Sequence, residues 1–263
     1  MELVFQDHKI EDEIINLVIP HNTITGLMND NNNTIYNLIS LKNTGKGQII
    51  INSEKISKDD IFMNRKRIST VDDNIIFQSY LSTVEDLMRN YLKLHNINVK
   101  DPDKKIRDSL KIVGIDENYV NHYLNTLSSS EKKLITIAMG LLSNPDTIIL
   151  EEPFKYLDIK QEKRLYMLLV KFVEQYNKTI VIKSNDAEIL YKYTKEIIIV
   201  KNNQIIADGT TTDIFQRVDF LKRNGVNIPE IVQITYLAKK EKEVKIDYHK
   251  DIRDIIKDIY KHV

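Results

Sequence analysis

The first fifty residues alternate short apolar runs with polar turns. Leu3-Val4-Phe5, Ile14-Ile15-Asn16-Leu17-Val18-Ile19 and Ile24-Thr25-Gly26-Leu27-Met28 have strand length and favour β-branched residues. The third run enters Asn29-Asp30-Asn31-Asn32-Asn33-Thr34 and leaves through Ile35, Leu38 and Ile39, spaced along one face of a short helix. Ile49-Ile50-Ile51 and Ile56 predict further strands. From about residue 81 to 143 the period becomes helical. Thr83-Val84-Glu85-Asp86 is a capped helix start, Pro102 breaks the next link, and Ile106, Leu110, Ile112 and Val113 lead to a stop at Gly114. A third helix is predicted over 119–124. Ser128-x-x-Glu131 is a capping box, followed by an apolar face of Leu134, Ile135, Ala138, Leu141 and Leu142.

The run 147–150 is apolar throughout, as in a strand covered on both faces, and ends in Glu151, Glu152 and Pro153. A helix is predicted over 161–172, with Leu165, Leu168, Leu169 and Phe172 facing in, then a strand over 179–182 ending at Lys183-Ser184-Asn185-Asp186. Ala187 to Tyr191 opens another helix. Ile197 to Val200 and Gln204 to Ala207 flank Asn202-Asn203, a hairpin pattern. The remainder is charged and helical, with an isoleucine stripe at Ile252, Ile255, Ile256 and Ile259. Strands alternating with helices predict an α/β fold with an N-terminal antiparallel β region and an inserted α-helical subdomain. The expected division is one domain over 1–218 and a helical extension over 219–263.

Composition narrows the classes. Hydrophobic residues make up 42% of the 263, enough for a full core. Lys plus Arg and Asp plus Glu both number 38, which argues against a dedicated nucleic-acid binder. With no cysteine there is neither a disulfide nor a thiolate site. The N-terminus lacks an export pattern, and no apolar run approaches the roughly 18 residues of a membrane span. A cytoplasmic protein is expected, reaching a membrane only through a partner.

Two carboxylates closing a buried strand need partners, and Mg²⁺ with an attacking water is the usual reason to put them there. A strand, loop and helix ahead of them is the layout of a phosphate loop. Such a loop needs glycines, so that backbone amides can close on the phosphates, and a lysine to reach them. Between Gly26 and Leu41 there is no lysine and no second glycine. Two registers are open. In one, Gly26 is the first glycine, Asn32 takes the lysine position and Thr34 the Mg²⁺-binding hydroxyl. In the other, the loop is about three residues shorter and Asn29 stands for that glycine. An ordinary asparagine-rich turn fits the segment as well. The helix opened by Ser128 is a further phosphate site candidate, because helix N-termini bind anions.

The ordered set of motifs resembles the ATP-binding domain of ABC transporters, of the energy-coupling-factor type, over roughly residues 14 to 235. Leu127-Ser128-Ser129-Ser130-Glu131 is similar to the LSGGQ signature. Sixteen residues after Ser128, Asn144-Pro145-Asp146-Thr147-Ile148-Ile149-Leu150-Glu151-Glu152-Pro153 resembles the Walker B strand. Leu157-Asp158 fits the D-loop, and Ile206-Ala207-Asp208-Gly209-Thr210 with Ile214-Phe215 fits the closing segment.

The resemblance implies ATP and Mg²⁺ as cofactors and hands roles to single residues. Glu152 falls on the general base and Glu151 on the metal-holding aspartate. Asp73 falls on the Q-loop glutamine, with Gln78 a poor substitute, and Asn185 falls on the switch histidine. Asn29, Asn31, Asn32, Asn33 and Thr34 make up the phosphate loop. Ser128, Ser129, Ser130, Glu131 and Asp158 fall at the dimer site. Phosphoryl transfer depends on positioning and charge stabilisation, and most of these positions carry an altered residue. The expectation is a degenerate, weakly active or inactive ATP-binding subunit of an importer for a small nutrient of the vitamin or metal-ion class. It would lie peripherally on the cytoplasmic face of the membrane. Its partners would be an active second ATPase, in a heterodimer rather than a homodimer, and a transmembrane coupling subunit. The alternative is an interaction protein that keeps the fold and binds no nucleotide. A soluble ABC protein of DNA repair or translation is disfavoured by the neutral charge.

Overall fold

The computed structural model describes residues 1–10, 13–73, 82–242 and 247–261, and the candidate Gln78 lies outside them. In chain order the elements are β1 (Leu3–Ile10), β2 (Glu13–Ile19), β3 (Ile24–Met28), α1 (Thr34–Ile39), β4 (Lys46–Ile51), β5 (Glu54–Lys55), α2 (Asp60–Arg65) and β6 (Ile68–Val71). The helical part follows as α3 (Val84–Leu94), α4 (Pro102–Val113) and α5 (Ser129–Leu141). Then come β7 (Thr147–Glu151), α6 (Ile159–Tyr176), β8 (Thr179–Lys183), α7 (Ala187–Tyr193), β9 (Glu196–Lys201) and β10 (Gln204–Thr210). The chain closes with α8 (Thr211–Phe215), α9 (Val218–Arg223), α10 (Glu230–Lys242) and α11 (Ile252–Lys261). Two compact units result: residues 1–23 with 37–181, and residues 24–36 with 182–263.

The first unit contains an antiparallel sheet in the order β2-β1-β4-β5. Leu3 and Phe5 pair with Ile19 and Leu17 on one side and with Ile51 and Ile49 on the other. All six are buried, whereas Ile14 and Val18 of β2 stay exposed, the period-two signature of a one-faced sheet. The ladder slips between Phe5 and His8, where Asp7 takes a positive φ. β6 and β7 pair in parallel from Ile68 with Thr147 to Val71 with Leu150.

α3 starts with the predicted capping box, Thr83 and Asp86 each accepting from the other's backbone N–H. α4 takes Pro102 at its first turn and ends on Gly114 in the left-handed region. The segment expected as a third helix is instead a pair of 3₁₀ turns, Glu117–Asn121 and Leu124–Thr126. Asp116 caps the first, and the chain then turns extended at His122 and Tyr123, leaving too few residues for a second α turn. On α5, a Cβ at Gly140 would meet Val71 Cγ2 at 2.6 Å, so only glycine lets this helix lie against β6.

In the second unit β3 pairs in parallel with β9, and β9 forms the hairpin with β10. Asn202 and Asn203 both have positive φ, 51° and 67°, as a two-residue type I′ turn requires. β3 runs straight through Gly26, which pairs with Ile197. A Cβ there would meet Leu190 and Thr194 of α7 and its cap at 3.2 Å, so this glycine serves helix packing. The polar loop starts at Asn29, directly after β3.

Candidate functional site

The loop 29–33 belongs wholly to the second unit. Asn29 and Asn33 sit at φ 62° and 57°, the left-handed conformation that glycines would supply at no cost and that asparagine tolerates. Asp30 is 1% exposed. Its Oδ1 accepts from the Ile35 N–H at 3.2 Å and its Oδ2 from the Tyr36 N–H at 2.7 Å. The first amides of α1 are therefore taken by a carboxylate of the loop itself. The asparagines are tied down too. Asn185 Oδ1 accepts from the Asn29 N–H at 3.0 Å and its Nδ2 reaches Asn31 Oδ1 at 3.4 Å. Asn32 Nδ2 donates to Asn203 Oδ1 at 2.9 Å. Lys183, at the end of β8, donates to Asn33 Oδ1 and lies over the Tyr36 ring, 5.4 Å from its centroid. Thr34 is the first residue of α1. Asn185 thus meets the loop through both atoms of its amide. The loop carries no lysine of its own, and the Ile35 and Tyr36 amides already hold Asp30.

The first unit assembles the acidic cluster. Glu151 ends β7, and Glu152 follows at φ 45°, a conformation that costs a side-chain-bearing residue energy. The Asp73 N–H donates to Glu151 Oε2 at 3.1 Å, so the residue expected at the Q-loop does meet the residue expected at the metal. Two lysines complete the group. Lys133 of α5, with a fully buried side chain, lies 3.0 Å from Asp73 Oδ1 and 3.2 Å from the Glu151 carbonyl. Lys155 lies 2.7 Å from Asp73 Oδ2. Burial pushes the Asp73 carboxyl upward, but the two ammoniums outweigh it and hold the group below the usual aspartate range.

The signature segment lies in the same unit. Ser128 caps α5: its Oγ accepts from the Glu131 N–H at 3.3 Å, and its own N–H donates to Glu131 Oε2 at 2.8 Å. The Tyr119 hydroxyl donates to Glu131 Oε1 at 2.7 Å. Burial works upward on Glu131, but these hydrogen bonds from Tyr119 and Ser128 leave its carboxyl below its ordinary range. Ser128 and Ser129 are exposed, and Ser130 Oγ lies 3.2 Å from Ser128 Oγ. Asp158 caps α6 through a second capping box with Gln161.

Sequence reasoning missed Asp30, Lys133, Lys155 and Lys183. Lys133 left a trace: Lys133, Ile137, Gly140 and Leu141 form a second buried stripe on α5, with a cation at one end. Nothing in the sequence singles out Asp30 among its polar neighbours.

An N-terminal antiparallel sheet, a parallel α/β part, an inserted helical part and these ordered motifs define an ABC-type ATP-binding domain. The ABC transporter family profile matches residues 15–155, just over half of the 263, and the chain belongs to this family. It is 27% identical over 249 residues to the energy-coupling factor transporter ATP-binding protein EcfA2 of Clostridium tetani, covering 92% of this chain and 85% of that one. A Methanosarcina acetivorans protein described as an ABC transporter ATP-binding protein is 25% identical over 199 residues, and the match spans 74% of this chain and 60% of that relative's length. Among solved structures, cbiO1 from Clostridium perfringens, part of the ABC transporter complex cbiONQ, shares the fold with a TM-score of 0.69. The match is at 22% identity and covers 89% of this chain and 98% of that one. Among the described residues no helix is long and apolar enough to cross a membrane.

Proposed function

We propose that this chain is the degenerate member of a pair of ATP-binding subunits in an energy-coupling-factor-like importer. It couples hydrolysis at a competent partner to uptake of a small nutrient of the vitamin or metal-ion class. Its own phosphate loop contributes little or no turnover. Its contribution is the capped N-terminus of α5, with Ser128 at the tip, offered to ATP held by the other subunit. That division of labour makes the pair a heterodimer. A polytopic membrane protein is the third component, and the chain sits against it at the cytoplasmic face.

The observation that carries this reading is the contrast between two helix starts. Asp30 occupies the amides of α1, whereas Ser128 leaves the tip of the 13-residue α5 exposed. Likeness to energy-coupling factor ATP-binding proteins supports the transporter class. The second reading, an interaction protein that binds no nucleotide at all, is favoured by the same Asp30 contacts.

Affinity isolation from membranes separates the two. A second ABC subunit with an intact phosphate loop and a polytopic protein are expected to co-purify, and the complex is expected to hydrolyse ATP. Isolation without any ATPase subunit, or a complex unable to bind or hydrolyse ATP, ends the motor reading and leaves the interaction protein.

A further inference from the structure

The family's Mg²⁺ does not fit the residues that this chain offers it. Holding the ion calls for carboxylate oxygens facing an open, near-octahedral position with room for water. Here both Asp73 oxygens are engaged by ammoniums, Oδ1 by Lys133 at 3.0 Å and Oδ2 by Lys155 at 2.7 Å. Glu151 Oε2 accepts the Asp73 N–H at 3.1 Å, and the Glu151 carbonyl accepts from Lys133 at 3.2 Å. Both ammoniums meet the one Asp73 carboxylate, and Lys133 also reaches the Glu151 backbone carbonyl, so two positive charges already stand at this corner without a metal. Lys133 is the central element. Its side chain has 0% exposure, and a buried ammonium is retained only where partners repay its lost hydration. A divalent cation arriving beside it would meet like charge at short range.

We infer that Lys133 and Lys155 supply, from the chain itself, the positive charge that Mg²⁺ gives the family at Asp73 and Glu151, so this corner works without a metal. The inference deepens the proposed function and rests on it only in treating Glu151 and Asp73 as the metal corner. A chain of this kind keeps its acidic strand end folded in a permanent cation-bound form, whatever the nucleotide does.

The test uses the full isolated chain, with Mn²⁺ as the probe read by electron paramagnetic resonance of the free ion. Melting in Mg²⁺ against EDTA serves as a second readout. The wild type is expected to show no Mn²⁺ site that depends on Asp73 and the same melting temperature in both solutions. Lys133→Gln with Lys155→Gln should bind Mn²⁺ about tenfold or more tightly than the wild type, and adding Asp73→Asn should cancel the gain. Lys155→Gln alone removes only the half-exposed lysine and should give part of the gain, which covers a double variant that does not fold. Wild-type Mn²⁺ binding that Asp73→Asn removes overturns the inference. So does the absence of any gain in Lys155→Gln and the double variant. A chain that fails to co-isolate with an ATPase would end the proposed pairing and leave this result untouched.

Discussion

Two corners of this molecule share one plan, a polar loop feeding a helix, and differ in what fills the helix start. At α1 the filler is Asp30, buried and bonded to the Ile35 and Tyr36 amides. At α5 it is Ser128, an exposed hydroxyl answered by Glu131 in a capping box. Both satisfy orphan amides, which any helix start requires. Asp30 satisfies them with a carboxylate inside the loop, leaving an incoming phosphate to compete with a covalently attached rival. Ser128 satisfies them with a neutral group at the surface. Satisfying a helix and keeping it open to a ligand are separate properties, and the choice of capping group decides between them.

The largest effect is expected at the open corner, the start of α5. In the complex with its ATPase partner, Ser128→Arg should lower ATP hydrolysis about a hundredfold, the scale for losing an aimed donor in phosphoryl or acyl transfer. Steady-state turnover of the isolated complex reads this directly, and unchanged turnover would remove α5 from the chemistry. Next, at the closed corner, Asp30→Ala strips a charged acceptor from two buried amides. Chemical denaturation should show a loss of about 2 kcal/mol. A neutral result would mean the loop does not depend on its internal carboxylate.

A smaller effect is expected at Asp73. Its carboxyl titrates below the usual range because Lys155 and Lys133 outweigh its burial. The linked stability is therefore present above the unfolded value of about 3.9 and is lost as pH falls through the lower folded value. Asp73→Asn should cost about 1 kcal/mol at neutral pH, given one half-exposed and one buried partner, with the difference closing in acid. Denaturation midpoints across that range test the sign. The smallest effect is a null: Asn32→Lys alone should not raise ATP hydrolysis by the isolated chain, since Asp30 still holds the amides. Substantial turnover in that variant would show that the missing lysine alone keeps the corner silent.

Much of this was legible in the chain. The alternating runs placed β1, β2 and β3, the box at Ser128 placed α5, and the apolar run ending in Glu151 placed β7, each because burial and capping act over a few neighbouring residues. Asn202-Asn203 predicted its hairpin because the required φ belongs to the residue type. The segment after Gly114 forms 3₁₀ turns where its spacing predicts a helix, because a short apolar spacing suits both. Gly26 was ambiguous because a glycine in a strand and a glycine opening a loop look alike until α7 packs against one of them.

Local pattern and residue identity were enough for the family and for the placing of most elements. Which side chains meet at the start of α1 and at the end of β7 came from the fold alone. Asp30 and the α1 amides lie five and six residues apart, and no pattern rule links them. Lys133 reaches Asp73 across sixty residues, and Lys155 across eighty-two. Charge compensation of that kind depends on distance in space, which the linear order of residues does not carry.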